Sequence, residues 1–487
     1  MNRRMIFYIL GIVLLIEAAL MVIPVAAGLI YHEKSVVWFL AAMAISLVCG
    51  ALLRLLKPKD TVFYLKEGCI ATAMSWLCMS LIGALPFTLS GQIPSYVDAL
   101  FETVSGFTTT GASILADVEA LDHCMLLWRS FTHWIGGMGI LVFLLAIISM
   151  SGGSNMNLMR AESPGPSVGK LVPKVRHTAS ILYRIYIALT VLMFIILVIF
   201  RMPVFDALCT AFGTAGTGGF GIKADSMASY SPALQWIITV FMILFGVNFN
   251  FYYFLLFKKW RQALKMEEVR WYFIIILFAV TMITGNILRL GGGAVKSIRD
   301  AAFQVASIIT TTGFATVDFD LWPNFSRTLL VVIMFIGACA GSTGGGIKVS
   351  RFIAVIKAVG SELYFYVHPK SVRQTRLEGK TLDSDTMRSI SSYFILFLLV
   401  FVASVCLVSL DNYDLSTNFT AVAATLNNIG PGLNLVGPTQ NFALFSDFSK
   451  FVLMFDMLAG RLELYPMILL FYPAVWKNTL TNRRRGE

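Results

Sequence analysis

The chain has 487 residues, of which 57% are hydrophobic and 13% charged. A soluble chain carries roughly 25% charged residues, so the composition excludes a water-soluble globular fold and points to repeated crossing of a bilayer. The net charge of +11 reads as orientation, not nucleic-acid binding, because the basic residues sit in short loops between apolar runs.

Met1-Asn2-Arg3-Arg4 opens an apolar run that reaches Ile30. Arg3 and Arg4 resemble the start of a signal peptide, but the run is too long and lacks a small-residue cleavage site, so a retained first span is expected. Ten segments are long and apolar enough to cross roughly 30 Å as helices. They lie near 5–30, 36–56, 68–89, 124–150, 179–201, 233–257, 271–290, 327–359, 389–410 and 447–476. An even number puts both termini on one side. That side then carries Arg3/Arg4, Arg54/Lys57/Lys59, Arg160/Lys170/Lys174/Arg176, Lys258/Lys259/Arg261/Lys265, Lys348/Arg351/Lys357 through Arg376, and Arg483 to Arg485. The positive-inside rule makes it the cytoplasm. Cys49, Cys69, Cys78, Cys124, Cys209, Cys339 and Cys406 form no Cys-x-x-Cys pair and read as packing thiols.

After two N-terminal spans the pattern becomes helix, short re-entrant segment, helix, four times over. The re-entrant stretches, near 96–108, 202–214, 298–310 and 415–427, are too short to cross. About 11 helical residues reach only ~16 Å. Such a half-helix survives at membrane depth only when buried in protein or lining a watery cavity. The divisions are 1–60 for the two extra spans, then repeats over 61–160, 161–262, 263–375 and 376–487.

Each half-helix runs into a short glycine-bearing segment: Thr109-Thr110-Gly111, Thr217-Gly218-Gly219, Thr311-Thr312-Gly313 and Asn428-Ile429-Gly430. Four copies on one chain can surround a cation with oxygens. Backbone carbonyls replace its water without fixed negative charge, so the ion binds and still leaves. Aiming successive carbonyls at one axis needs backbone angles that Gly accepts easily. The C-terminal end of each half-helix adds partial negative charge facing the cavity. The second copy is ambiguous between Gly218 and Gly219, and the fourth lacks the Thr pair, so it should be the least regular.

Further along, seven of the twelve residues from Gly337 to Lys348 are Gly, Ser or Thr, which opposes a continuous helix. A small-residue packing stretch is one reading. A flexible intramembrane loop closing the pore below the filter, with Lys348 near its cytoplasmic mouth, is the other and the preferred one. Arg461 stands mid-span and should face the interior with a partner, Glu463 or Asp456 being the plain candidates. Glu17 is also intramembrane but lies outside the repeats. Glu102 and Asp206 open half-helices, while Asp117, Asp225, Asp318 and Asp320 follow loops; attraction of cations to an outer vestibule and placement at helix N-termini are both open. His133 reads as a packed polar residue. No Gly-x-Ser-x-Gly, His-Glu-x-x-His or phosphate-loop ending is present, so neither an enzyme nor a cofactor site is expected.

Trp128-Arg-Ser-Phe-Thr-His-Trp-Ile-Gly-Gly-Met-Gly139, Ser105-Gly-Phe-Thr-Thr-Thr-Gly111, Gly341-Ser-Thr-Gly-Gly-Gly-Ile-Lys348 and Asn427-Asn-Ile-Gly-Pro-Gly432 resemble the Trk/Ktr/HKT superfamily of potassium-translocating subunits, along essentially the whole chain. The two extra spans point to its TrkH/TrkG branch. The resemblance implies an all-α polytopic membrane protein with four tandem K⁺-channel-like helix–pore-loop–helix repeats around a pseudo-fourfold pore. It implies K⁺ as the transported ion, held by backbone carbonyls of Thr109, Thr110, Gly111, Thr217, Gly218, Gly219, Thr311, Thr312, Gly313, Asn428, Ile429 and Gly430. A Na⁺-coupled or Na⁺/K⁺-conducting relative is the alternative. The implied gate comprises Gly341, Ser342, Thr343, Gly344, Gly345, Gly346 and Lys348, with Arg461 as latch or barrier. It further implies a homodimer in the lipid of a bacterial plasma (inner) membrane, and a separate cytosolic ring of nucleotide-binding regulatory subunits.

Overall fold

A computed structural model of the chain describes residues 2–58, 65–139, 175–370 and 374–476. The repeat boundaries at 60/61 and 160/161, the far end of the 124–150 span, and Lys59, Arg160, Lys170, Lys174 and Arg483 to Arg485 lie outside them. The fold is helical throughout; the one strand pair among the described residues is Arg376–Leu377 with Lys380–Thr381.

The first span, Arg3–Ile30, packs along the second, Val36–Arg54. Glycine permits the approach: a Cβ on Gly11 would sit 2.8 Å from the Gly50 carbonyl oxygen, and one on Gly50 2.9 Å from that of Gly11. Small residues bring membrane helices into backbone contact in this way, where no hydrophobic effect drives association. Ser46 adds a hydroxyl bond to the Leu14 carbonyl at 2.8 Å. Outward faces are apolar, with Leu52, Leu277 and Leu399 among the exposed residues, as lipid demands.

Each repeat then places an outer helix, a re-entrant half-helix and an inner helix in succession. The half-helices are Tyr96–Phe107, Val204–Gly216, Ala294–Ile309 and Leu415–Leu426, close to the expected positions. Their N-termini are capped where the sequence supplies a side chain: Ser95 accepts from the Asp98 N–H at 3.3 Å and Asp414 from the Thr417 N–H at 3.0 Å. Such caps satisfy amides that have no intrahelical partner.

Of the ten expected spans, six are matched by helices long and apolar enough to cross, and a seventh is a bent pair. The difference lies in the inner helices, none of which is seen to run straight through. The first, His123–Gly137, ends just before the undescribed segment. The second, expected as one span over 233–257, is Pro232–Phe245 followed by Phe249–Leu256 at 91°. The third stops at Met334 and resumes at Val349, the one interruption that the run of Gly, Ser and Thr from Gly337 to Lys348 leads one to expect. The fourth breaks after Arg461, where Glu463 and Leu464 take φ of 60° and 66°. Hydropathy averages over such breaks because the residues on both sides are apolar. The cause is local: a Cβ on Gly136 would overlap the Phe107 carbonyl, and one on Gly460 the Leu426 carbonyl. The first and fourth inner helices therefore press against half-helix ends at glycines, and ordinary helix geometry stops there.

Candidate functional site

The four half-helices end alike. Thr109, Thr217, Thr311 and Asn428 have φ of 55°, 54°, 56° and 54°. The following N–H, of Thr110, Gly218, Thr312 and Ile429, bonds back to the carbonyl five residues earlier, of Ser105, Gly213, Ser307 and Ala424, at 2.8–2.9 Å. This is a Schellman C-cap with a non-glycine residue in the left-handed position. A β-branched residue is strained there, so three of the four loops hold a conformation that their surroundings must enforce.

Two residues on, Gly111, Gly219, Gly313 and Gly430 have φ of 80°, 78°, 86° and 102°. The repeating pattern makes Gly219, not Gly218, equivalent to the other three. A Cβ on Gly111 would overlap the carbonyl oxygen of Gly218, one on Gly219 that of Thr312, and one on Gly313 that of Ile429. One on Gly430 would stand 2.9 Å from the Thr110 oxygen. Each loop thus leans on the next and the fourth returns to the first. The ring is closed, and the four glycines line one hollow. The fourth loop departs most in φ and is the loosest of the four contacts. Its Asn428 side chain replaces the missing Thr pair by donating to Thr110 Oγ1 at 2.9 Å and the Met457 carbonyl at 2.8 Å. In the first and third loops hydroxyl pairs brace the strand, Thr108 with Thr110 at 2.8 Å and Thr310 with Thr312 at 2.7 Å.

Behind the ring sits a buried ion pair that sequence reading passed over. Arg129, 3% exposed on the first inner helix, pairs through Nε with Glu102 of the first half-helix. Its Nη1 donates to the Gly221 carbonyl at 2.7 Å, and its guanidinium stacks 3.7 Å from the Phe220 ring centroid. Glu102 also accepts from Ser113 Oγ and the Ile114 N–H, each at 3.0 Å. One arginine therefore ties the first loop to the second. The available signal was a charge inside an apolar helix, which has to find a partner. Glu102 is thus a brace, and Asp206 accepts from Tyr230 at 2.8 Å. Asp117, Asp318 and Asp320 accept from nearby backbone, and Asp225 from Ser229. No carboxylate lines the hollow among the described residues; Arg129 and Lys223 do. His133 stacks on Phe220 at 4.2 Å and abuts Gly218; neither ring nitrogen has a hydrogen-bond partner among the described residues.

Below the ring, residues 335–348 form an irregular loop inside the third inner helix. It touches the ends of the third and fourth half-helices directly: a Cβ on Gly344 would lie 3.1 Å from the Thr310 oxygen, and one on Gly345 2.8 Å from that of Asn427. The Gly345 N–H donates to Thr311 Oγ1 at 2.6 Å. The loop is tied rather than loose: Gly337 N–H bonds the Ile347 carbonyl at 2.8 Å and Cys339 N–H the Gly246 carbonyl at 3.1 Å. Thr343 Oγ1 reaches the Phe245 carbonyl at 3.3 Å, and Ser342 Oγ the Cys339 carbonyl at 2.7 Å. Gly341 turns the backbone at φ 71°. Lys348, expected at the cytoplasmic mouth, is instead 2% exposed, with its ammonium folded back on the carbonyls of Gly344 and Gly345. Unpaired carbonyls of a glycine loop and a charge at membrane depth each need a partner, and this contact serves both.

Arg461 does not pair with Glu463 or Asp456 in the described contacts. Glu463 takes Arg351, and Asp456 accepts from Ser404 at 2.7 Å. Arg461 donates to the Thr343 carbonyl at 2.8 Å and to the carbonyls of Gly136 and Gly137. It thereby links the loop to the end of the first inner helix. Two cationic heads consequently stand among carbonyls on the side of the ring away from the hollow.

Comparison with known proteins agrees with this architecture over its full extent. The family described as TrkH, a cation transport protein, matches residues 35–478. The Trk system potassium uptake protein TrkH of Escherichia coli K12 is 34% identical over 485 residues, covering 98% of this chain and all of that protein. The potassium uptake protein TrkG of the same organism is 30% identical, covering 98% and 99%. The crystal structure of the potassium transporter TrkH from Vibrio parahaemolyticus superposes with a TM-score of 0.87 at 32% identity, covering 98% of this chain and 100% of that one.

Proposed function

Because this chain belongs to the TrkH family of cation transport proteins, we propose that it is the ion-translocating membrane subunit of a potassium uptake system. The carrying observation is the closed ring in which Gly111, Gly219, Gly313 and Gly430 each face a carbonyl of the next loop. A dehydrated K⁺ entering from the hollow meets the carbonyls of these loops, with Thr109, Thr110, Thr217, Gly218, Thr311, Thr312, Asn428 and Ile429 supplying the remaining filter backbone. Four half-helix C-termini favour its charge without binding it irreversibly. The four repeats are taken as 61–160, 161–262, 263–375 and 376–487.

Residues Gly341 to Gly346, with Lys348 and Arg461, act as the gate. While Lys348 and Arg461 occupy loop carbonyls, their positive charges oppose a cation leaving the ring. At a separation of 4 Å and an effective dielectric of about 20, one such repulsion is ~4 kcal/mol. Withdrawing the loop removes both. A membrane potential of 100 mV supplies about 2.3 kcal/mol per charge for inward movement.

The chain works with other components of a Trk system. A homodimer, a cytosolic nucleotide-binding ring that moves the loop, and an inner-membrane orientation with both termini cytoplasmic complete the reading. The basic inter-span loops support that orientation.

The test is ⁸⁶Rb⁺ uptake into proteoliposomes of the full chain under an inside-negative potential, with K⁺ or Na⁺ as competitor. K⁺ competes and Na⁺ does not if this reading holds; equal competition replaces it with a Na⁺/K⁺-conducting one.

A further inference from the structure

We infer that Glu268 is a positioning residue that holds the intramembrane loop in its closed place, an assignment that rests on the reading of that loop as the gate. Glu268 stands in the first turn of the helix Glu267–Ile287 and is 5% exposed. Its Oε1 accepts from the Ala340 N–H at 2.7 Å and from the Ser350 N–H at 3.1 Å. These amides flank the glycine-rich stretch on either side. A single oxygen therefore closes the loop into a cycle. Neither amide has another acceptor among the described residues: Ala340 lies in irregular backbone, and Ser350 lies in the first turn of Val349–Val367, where helical N–H groups have no intrahelical acceptor. The carboxylate also faces that helix N-terminus with the favourable sign.

Its second oxygen extends the tie to another repeat. Oε2 accepts from Asn248 Nδ2 at 3.4 Å, and Asn248 sits at the 91° break of the second inner helix. Asn248 Oδ1 caps the following helix through the Asn250 N–H at 3.0 Å, and the Phe249 N–H bonds the Gly341 carbonyl at 3.0 Å. The break in repeat two and the loop in repeat three are thus one hydrogen-bonded unit centred on Glu268.

The unit has an exposed handle. The Glu268 N–H donates to Glu378 Oε1 at 3.1 Å, on the hairpin formed by Arg376–Leu377 and Lys380–Thr381. Lys357, on the helix that follows the loop, bonds Glu267 Oε1 at 2.5 Å and the Arg376 carbonyl at 2.9 Å. Movement of this hairpin bears directly on the residue that staples the loop. For the loop to withdraw, Oε1 has to release Ala340 or Ser350, so Glu268 sets how easily it opens.

The test uses the full chain, detergent-solubilised for labelling and in proteoliposomes for flux. Cys339, fully buried within the loop, is kept as the sole cysteine and its modification by a charged methanethiosulfonate is timed. Glu268→Gln keeps an oxygen for the two amides but loses the negative charge at the helix N-terminus and the second oxygen that Asn248 uses, so Cys339 reacts about tenfold faster and ⁸⁶Rb⁺ flux without any partner rises in parallel. A sole-cysteine Cys209 background, equally buried in the second half-helix, shows no change, which separates loop release from general loosening. Glu378→Ala, at an exposed site, gives a smaller shift in the same direction and serves if Glu268→Gln does not fold. Cys339 reacting at the parental rate in both variants overturns the assignment. Faster Cys339 labelling with unchanged flux would instead remove the loop from the role of gate while leaving the staple in place.

Discussion

The ring and the region beneath it are built from the same four repeats, yet one repeats almost perfectly and the other does not. Above, four loops share φ values within a few degrees at the left-handed Thr or Asn and the same back-bonds. Below, the inner helices stop at Gly137, bend by 91°, open into a loop over 335–348, or break at Glu463 and Leu464. A binding ring for a spherical ion needs equivalent oxygens on all sides, so divergence there is harmful. A gate needs one element that moves against three that stay, so equivalence there is useless. On the proposed reading, symmetry in this molecule marks conduction and its loss marks control.

The sharpest way to break the ring is Gly219→Ser. A Cβ there overlaps the Thr312 carbonyl, and the φ of 78° is itself hostile to a side chain. Neither backbone can retreat, since both belong to the ring. Uptake of ⁸⁶Rb⁺ falls roughly a hundredfold, equivalent to ~2.7 kcal/mol, and K⁺/Na⁺ discrimination falls with it; unchanged selectivity would remove that loop from the filter. Gly430→Ala, with 2.9 Å of clearance, has the mildest effect of the four glycines. If all four substitutions proved equal, the closed-ring account would fail.

In its effect on transport, next in size is Arg129→Gln. It leaves Glu102, fully buried, without its cation, and breaking such a pair costs about 3–5 kcal/mol. A detergent thermal melt shows a markedly lower midpoint. Selectivity also declines, because Arg129 carries the Gly221 carbonyl. A melt matching the parent would show that the pair does not brace the ring. Below the ring, Lys348→Met removes one positive charge from the carbonyls of Gly344 and Gly345. Basal flux rises severalfold with selectivity intact, which is the result that separates control from conduction. A loss of flux would mean that Lys348 supports the pathway.

How far the sequence carried depended on which half is considered. The loops were legible because a short glycine-bearing segment recurs in step with the spans. Residue types favour Gly219, which precedes Phe220 as Gly313 precedes Phe314, but leave Gly218 open; the choice rests on φ, a backbone quantity. Arg129 was hidden by its neighbours, since Trp128 and Phe131 make that helix read as an apolar wall. Glu268 was masked differently. It stands beside Glu267 at the start of a span, where acidic residues are ordinary helix-dipole partners, and its acceptor role depends on Ala340 and Ser350, more than 70 residues away. The third inner-helix break was legible in its run of Gly, Ser and Thr, whereas the others escaped because hydropathy counts residues, and Gly136 and Gly460 matter for what they touch.

The smallest test probes whether the loosest quarter of the ring is held from outside. Asp414 caps the fourth half-helix from an exposed position, accepting from the Thr417 N–H at 3.0 Å and from Asn434 at 2.9 Å. The Thr417 hydroxyl bond first, then backbone bonding, holds its carboxyl below the ordinary value of 3.8. A depressed pKa means the charged cap stabilises the fold above the ordinary aspartate range, and that this contribution is lost as pH falls through the lowered value. Acidifying the outer solution below about pH 4 therefore loosens the fourth loop before the others. Asp414→Asn keeps the cap geometry but removes the titration, because asparagine caps nearly as well as aspartate. Selectivity of the variant is close to parental at neutral pH and loses its acid-dependent decline. If the decline persists in Asp414→Asn, the fourth loop's weakness is intrinsic to Asn428 and Gly430, and the outer cap does not set it.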